Sequence, residues 1–408
     1  MSRMSHARIE PVAIVAQGLA CAAGVGVPAL AAAVRTASSA LRLNDFTPVA
    51  PPSWIGRIAE IEASPLPAAL AQWDCRATRA AWLGLQADDF IVAAQAARQR
   101  HGAARVGLVL GTSASTIGAS EQAYAALAPD GGFPTPLRNP RLNTLHAVSA
   151  FVQEALALQG PCVTVSTACS SSAKAFAQAE RWLRLGLVDA VVVGGVDALC
   201  GSVLFGFAAL GLVSPSPCQP FDAARRGISV GEAAGFVLLE RAPGAACTLG
   251  LLRGHGEAND AHHMSSPHPL GLGAELALDA ALQRAGLDVR DIDYLNLHGT
   301  GTAQNDDVEA TLVARRFRGD VHASASKGLT GHTMGAAGIV EALLCLLALR
   351  AGWCSGTAHT QAADPALGAA FAQQLQRLPV QRRVRFAASH SFGFGGNNCV
   401  LIFGQGGT

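Results

Sequence analysis

The sequence is short of charge, of aromatic rings and of paired cysteines. Only 14% of its 408 residues are charged and 5% are aromatic, while half are hydrophobic. So apolar a chain can bury a large core, which excludes intrinsic disorder. Its formal net charge of +1 leaves no global basic footprint for nucleic acid. Ten cysteines are scattered along it, none spaced as a CxxC pair. That pattern argues against a structural zinc site and against a disulfide framework; the expectation is a cytoplasmic protein with reduced thiols and no metal ligand cluster. The uncharged run 11-PVAIVAQGLACAAGVGVPALAAAV-34 is interrupted by Gln17, several glycines and Pro28. It therefore reads as a short strand (Val12 to Val15), a glycine loop and a helix start, not as a membrane span or export signal. Low-complexity segments are lacking too, apart from a proline-rich stretch between Pro48 and Pro67.

What is present is alternation. Short apolar runs bounded by glycine or polar residues predict buried strands at 106–110, 162–166, 190–194, 234–240, 294–297, 321–324, 385–389 and 399–403. Helical patterns lie between them at 78–99, 142–158, 170–185, 274–285, 306–316 and 335–350. Strands alternating with helices predict an α/β fold with mostly parallel sheets. At 408 residues the chain exceeds one compact core. Each half closes on two apolar strands (AVVVGG and AGFVLLE, then RFAAS and CVLIF) and carries a long apolar helix. Two similar α/β halves follow, 1–245 and 246–408, joined between Ala242 and Cys247.

Candidate chemistry sits where strands end. In 163-VTVSTACSSSAK-174 a β-branched run stops at Cys169 and a helix begins. Unpaired N–H groups and the positive macrodipole at a helix start favour thiolate over thiol, so a lowered pKa is expected. The serines that follow suit capping and close packing better than nucleophilic attack. His298 ends a hydrophobic strand in 294-YLNLHGTGTAQND-306. Lys327 and His332 sit in a glycine-punctuated turn in 325-ASKGLTGHTMGAAGIVEALL-344. Ligand sites in α/β folds form at such strand ends. The glycines around Phe394 in 389-SHSFGFGGNNCVLIF-403 would let exposed backbone N–H groups hold an oxyanion.

Taken together, TACSSS, PFDAARRGISVGEAAGFVLLE (220–240), HGTGT, SKGLTGH and SFGFGGNN resemble, in order and nearly end to end, the elongating β-ketoacyl-acyl-carrier-protein synthases of fatty acid and polyketide synthesis. The resemblance implies a thiolase-like fold, two related halves forming a five-layer αβαβα core, and a homodimer or heterodimer. It implies decarboxylative Claisen condensation without a cofactor, the substrates riding on the phosphopantetheine of acyl carrier protein. Cys169 would take up the acyl group. His298 and His332 would bind the malonyl thioester carbonyl, and the backbone N–H groups of Cys169 and Phe394 would form an oxyanion hole. Lys327, paired with Glu341, would act electrostatically. Thr300 and Thr302 match positions touching the pantetheine arm, and Phe394 matches a gate.

Two histidines rather than a His–Asn pair favour malonyl carrier as the extender. A degradative thiolase would need a second catalytic cysteine; Cys399 stands near that place but within a strand pattern. The retained Cys169 speaks against a non-catalytic, chain-length-determining partner subunit. Ala114, with Ser113, Ser115 and Thr116, is expected to give a wider or more polar acyl tunnel, and so a polyene or aryl-polyene chain. Ser265 stands where a threonine is common. Docking of an acidic carrier protein on a near-neutral chain would need local basic sites, with Arg76, Arg79, Arg225 and Arg226 as candidates.

Overall fold

The computed structural model describes residues 7–47, 52–242 and 248–406. The expected boundary after residue 245, Cys247 and Pro48 lie outside the described residues.

Ten strands build the main sheet, and the short Gly24–Val25 pairs with its first strand as an eleventh. The first half contributes β1 (Val12–Cys21), β2 (Val106–Gly111), β3 (Cys162–Val165), β4 (Ala190–Asp197) and β5 (Ala233–Arg241). The second contributes β6 (Gly250–Asn259), β7 (Tyr294–Leu297), β8 (His322–Ala325), β9 (Phe386–Gly393) and β10 (Asn397–Gly404). From the seam outward the strands run β1-β5-β4-β2-β3 on one side and β6-β10-β9-β7-β8 on the other. Strand for strand this is the same order, first-fifth-fourth-second-third, and the directions agree as well. The seam is a short antiparallel pairing of Val12, Ala13 and Ile14 with Leu252, Leu251 and Gly250.

The sheet is mixed, which corrects the expectation of mostly parallel strands. Only β2–β3, β2–β4, β7–β8 and β7–β9 are parallel. In each half the fifth strand inserts between the first and fourth and runs against both. A continuous apolar run reports a strand buried on both faces, and carries no information on its direction.

Seven helices matter here: α1 (Arg76–Gln86), α2 (Phe90–His101), α3 (Ala147–Ala155), α4 (Ser171–Arg184), α5 (Leu272–Ala285), α6 (Ala303–Arg316) and α7 (Ala337–Ala351). Successive strand side chains point to opposite faces, and the cores follow that period. Ala190, Val192 and Val196 of β4 pack with α1, α2 and α3 on one outer face. Val400 and Ile402 of β10 pack with α5 and α6 on the other. Val191 and Val193 of β4, with Cys399, Leu401 and Phe403 of β10, turn inward onto α4 and α7. The result is the five-layer αβαβα arrangement of a thiolase-like fold. Cys399 is a core residue of this middle layer. The helical stretch Met334–Ala351 is long and apolar enough to cross a membrane, but it is 83% buried in the protein's own core.

Three elements depart from the sequence reading. The helix expected over 78–99 is two helices, because Asp88 and Asp89 take left-handed φ values of 54° and 58°. The first strand runs on through Gln17 and Gly18 to Cys21. The third departure is β6, absent from the predicted strands because Arg253, Glu257 and three glycines break its apolar pattern. Those glycines have a packing role. A Cβ at Gly256 would lie 1.8 Å from the Ala277 carbonyl oxygen, and one at Gly254 2.3 Å from that of Ala281. Only a bare strand lets α5 lie this close. Gly256→Ala should lower unfolding free energy by about 2–3 kcal/mol in chemical denaturation. Gly206→Ala, where nothing lies within 4 Å of the added methyl, should leave it unchanged or slightly raised.

Candidate active site

The chain leaves β3, β7, β8 and β9 at their carboxyl ends, and each exit carries one part of the site. After β3 comes a tight turn in which Ala168 holds a left-handed φ of 52°. The Ser171 hydroxyl accepts the Thr167 N–H at 2.9 Å and donates to the Ala168 carbonyl at 2.5 Å. The Ser170 hydroxyl donates to the Thr167 carbonyl at 2.9 Å. Fixed in this way, the serines shape the turn, and Cys169 is delivered at its tip just ahead of α4.

The turn after β8 leads through His332 into α7, in the same topological place of the second half. The two central helices meet at their N-terminal ends. The Ile339 N–H donates to the Ser172 hydroxyl at 3.0 Å, and a Cβ at Gly338 would lie 2.6 Å from the Ala173 nitrogen. This close approach sets Cys169 Sγ 3.1 Å from His332 Nε2. His298 stands beside them, its ring 5.4 Å from that of His332 and nearly perpendicular to it.

The protonation states follow from the donors around each ring. The Met334 N–H donates to His332 Nδ1 at 3.3 Å, and the Lys327 ammonium lies 3.3 Å from His298 Nδ1. A ring nitrogen that accepts carries no proton, so both neutral imidazoles hold theirs on Nε2. Burial, reinforced by the Lys327 charge, pushes both histidines well below their usual pKa. Lys327 also donates to the His298 carbonyl and pairs with Glu341 at 2.6 Å, as expected from the sequence. Burial pushes the Glu341 carboxyl up to about 7 against the pull of Lys327. Together these contacts leave both rings neutral, each with its N–H on Nε2.

Cys169, His298 and His332 present ligand atoms within 4.8 Å of one another, a spacing that could hold a metal ion. The tautomers oppose this, since neither Nε2 offers a lone pair and Lys327 adds a positive charge. The thiol itself corrects an expectation. Cys169 is 8% exposed, and burial pushes its pKa up to about 12, with Lys327 pulling the other way. Loss of water around the sulfur is the largest cause.

These groups face a cleft open to solvent, lined also by Thr300, Thr302, Ser265 and Phe394. The Thr300 and Thr302 hydroxyls lie 2.8 Å apart on its wall. Phe394 leans on Phe207 with ring centres 6.2 Å apart. A Cβ at Gly393 would stand 3.1 Å from the Cys169 nitrogen, so this turn abuts the backbone of Cys169. Ala114 is buried and gives its N–H to Asp197 at 2.8 Å; it is not among the residues lining this cavity.

Sequence reading missed several supports. Glu309 accepts the N–H groups of His298 and Gly299, each at 2.8 Å, and contacts His390 at 3.0 Å. Asp306 accepts from Phe221 at 2.7 Å and Thr300 at 3.1 Å, and burial pushes it up to about 7. The available signal was their place in the first two turns of α6, directly after a glycine loop.

The proposed basic patch is mostly committed elsewhere. Arg76 donates to Glu232 at 2.8 Å and also pairs with Glu62. Arg79 grips Asp74 with two bonds of 2.6 Å. Arg225 is 8% exposed in its side chain and bonds Asp364 and Asp307, both at 2.7 Å. Only Arg226 of the four is exposed with no carboxylate partner among the described residues.

Two family models match the chain: Beta-ketoacyl synthase, N-terminal domain, over residues 76–245, and Beta-ketoacyl synthase, C-terminal domain, over 249–361. Nodulation protein E of Rhizobium meliloti (strain 1021) is 36% identical over 311 residues, 74% of this chain and 76% of that protein. The 3-oxoacyl-(acyl-carrier-protein) synthase 2 of the same strain is 37% identical over 262 residues, 60% of this chain and 61% of that one. Among solved structures, the ketosynthase ApeO in complex with its chain length factor ApeC, from Xenorhabdus doucetiae, gives a TM-score of 0.87. It is 34% identical, and the match covers 97% of this chain and 98% of that chain.

The raised thiol pKa has a direct readout. Alkylation of Cys169 by iodoacetamide should accelerate about tenfold per pH unit up to at least pH 10, because only the thiolate reacts. A plateau below about pH 9 would show that the helix start outweighs burial.

Proposed function

The chain belongs to the β-ketoacyl synthase family, and we propose how its residues divide that family's chemistry. The enzyme is a condensing acyltransferase, joining an acyl thioester to malonyl carrier protein with loss of carbon dioxide. In the first step the Cys169 sulfur attacks the acyl thioester carbonyl. The C–S bond to the carrier breaks, and the thiol proton ends on the departing pantetheine thiol. A protonated resting thiol suits this exchange, which takes up and releases no net proton. His332 Nε2–H stabilises charge on the sulfur as it forms. In the second step the malonyl thioester oxygen sits between the two Nε2–H donors. They stabilise the enolate left when carbon dioxide departs. The enolate carbon attacks the Cys169 acyl group, the oxyanion resting on the N–H groups of Cys169 and Phe394. Collapse yields 3-oxoacyl carrier and a Cys169 thiolate, which regains one proton.

Lys327 serves by holding His298 in its donor tautomer. Thr300 and Thr302 line the path of the pantetheine arm, and Phe394 against Phe207 gates it. The observation that carries this reading is the convergence of Cys169, His298 and His332 with both imidazoles fixed as donors. It also favours a catalytic subunit over a silent partner.

We place the boundary between the halves at 245/246. The partners are acyl carrier protein and a second ketosynthase-like subunit, either this chain again or a chain-length-determining relative such as the one bound to ApeO. We propose a specialised polyketide or aryl-polyene chain over a plain saturated one, and the likeness to a ketosynthase solved with its chain length factor fits a chain of set length. Carrier-bound substrates and unpaired thiols fit a cytoplasmic setting. With three of four arginines engaged, docking rests on Arg226 and on exposed apolar residues such as Met264 and Leu270.

Intact-protein and peptide mass spectrometry with saturated and polyenoyl carrier thioesters tests the assignment. An adduct on the Cys169 peptide, absent from Cys169→Ala and greatest with polyenoyl chains, is expected. His298→Ala should keep the adduct while malonyl decarboxylation falls by about 100-fold or more. Retained decarboxylation would remove His298 from the enolate site. Arg226→Glu should raise KM for the carrier about threefold or more, an effect that shrinks with added salt.

A further inference from the structure

The turn that carries Phe394 is held from two sides. On one side it bonds to the loop after β6. The Gly395 N–H donates to the Met264 carbonyl at 2.7 Å, Asn259 Nδ2 to the Gly395 carbonyl at 2.8 Å, and the Asp260 N–H to the Gly396 carbonyl at 2.9 Å. On the other side a single side chain reaches it from the nucleophile's helix. Lys174 Nζ donates to Asn397 Oδ1 at 3.0 Å, and Asn397 Nδ2 reaches back to the Phe394 carbonyl at 3.4 Å.

Lys174 is one of only two lysines in the 408 residues; the other is Lys327. Its ammonium is partly buried, and its one polar partner among the described residues is the neutral Asn397 oxygen. Half-burying an ammonium against an amide recovers less of the lost hydration than pairing it with a carboxylate. The position therefore calls for a role other than stability. Its geometry supplies one. Lys174 stands five residues beyond Cys169 on α4, and Asn397 three residues beyond Phe394. The contact thus spans the two backbone N–H groups assigned to the oxyanion hole, which come from opposite halves of the chain.

We infer that Lys174 is a positioning residue for the oxyanion hole: through Asn397 it fixes the Phe394 N–H relative to that of Cys169. This rests on the oxyanion assignment of the preceding subsection. Lys174 lies outside the residues lining the cavity.

The experiment is single-turnover acylation of Cys169 by an acyl carrier thioester, followed by intact-protein mass spectrometry. Wild type is compared with Lys174→Met, Asn397→Leu, the double variant and Lys174→Arg. Each single variant should acylate about tenfold more slowly, less than the loss from removing an oxyanion donor outright. The double variant should match the singles, because one contact is broken only once. Lys174→Arg should recover to within about threefold of wild type, as its guanidinium can reach the same oxygen. KM for the carrier should not change. Iodoacetamide alkylation of Cys169 should be unaffected, since that displacement forms no oxyanion. Losses that add in the double variant, or alkylation slowed as much as acylation, would overturn the inference. Equal acylation by wild type and all variants would also overturn it while leaving the reaction intact. A wild type that acquires no acyl group on Cys169 would instead bring down the functional reading itself.

Discussion

Everything catalytic in this protein depends on two helices touching at their N-terminal ends. Where α4 and α7 meet, Gly338 lies against Ala173 and the Ser172 hydroxyl takes the Ile339 N–H. A side chain larger than hydrogen at Gly338 would hold the helices apart, because its Cβ would already lie 2.6 Å from a backbone nitrogen. Each helix is preceded by a turn at a strand end, so bringing the helix starts together brings the turns together. One turn offers a sulfur and the other an imidazole. Helix packing brings the sulfur and His332 Nε2 to 3.1 Å, within hydrogen-bond reach of each other.

Around that contact the electrostatics are arranged to keep the histidines neutral and oriented. A charged lysine beside two imidazoles would serve poorly if they had to accept protons. It serves well if they must donate, because it disfavours the imidazolium and occupies one Nδ1. Glu341 balances Lys327 at 2.6 Å, and both are buried. Removing one member of such a pair would leave an uncompensated buried charge, at a cost of about 3–5 kcal/mol. The pair therefore ties the stability of the core to the protonation state of the site.

Much of this was legible in the sequence, for identifiable reasons. A strand end before a helix start marked Cys169, and glycine-rich turns beside strands marked His298, His332 and Phe394, since a buried strand shows itself as an apolar run and its end as a break. What escaped reading depends on contacts between distant segments. The strand β6 was hidden because its glycines serve the helix lying on it. At Cys169 the helix start was visible in sequence, while the burial that raises the thiol pKa was not. Arg76, Arg79 and Arg225 looked free because their carboxylate partners are brought to them only by the fold. Glu309 acts across 11 residues and Lys174 across 223, the latter through a bond that no local pattern announces.

The repeated strand order has a consequence for how the chain is made. The inner face of the first sheet is covered by α4 and by α7, and one hydrophobic core draws on strands of both halves. When synthesis has reached the end of β5, the first five strands can pair, but their inner surface still lacks α7. That helix ends at Ala351, and β9 and β10 follow it. The nascent first half must therefore wait, with apolar surface uncovered, for more than a hundred residues of translation. The duplicated architecture thus closes as one cooperative unit only near completion, and until then its uncovered apolar face is prone to aggregation.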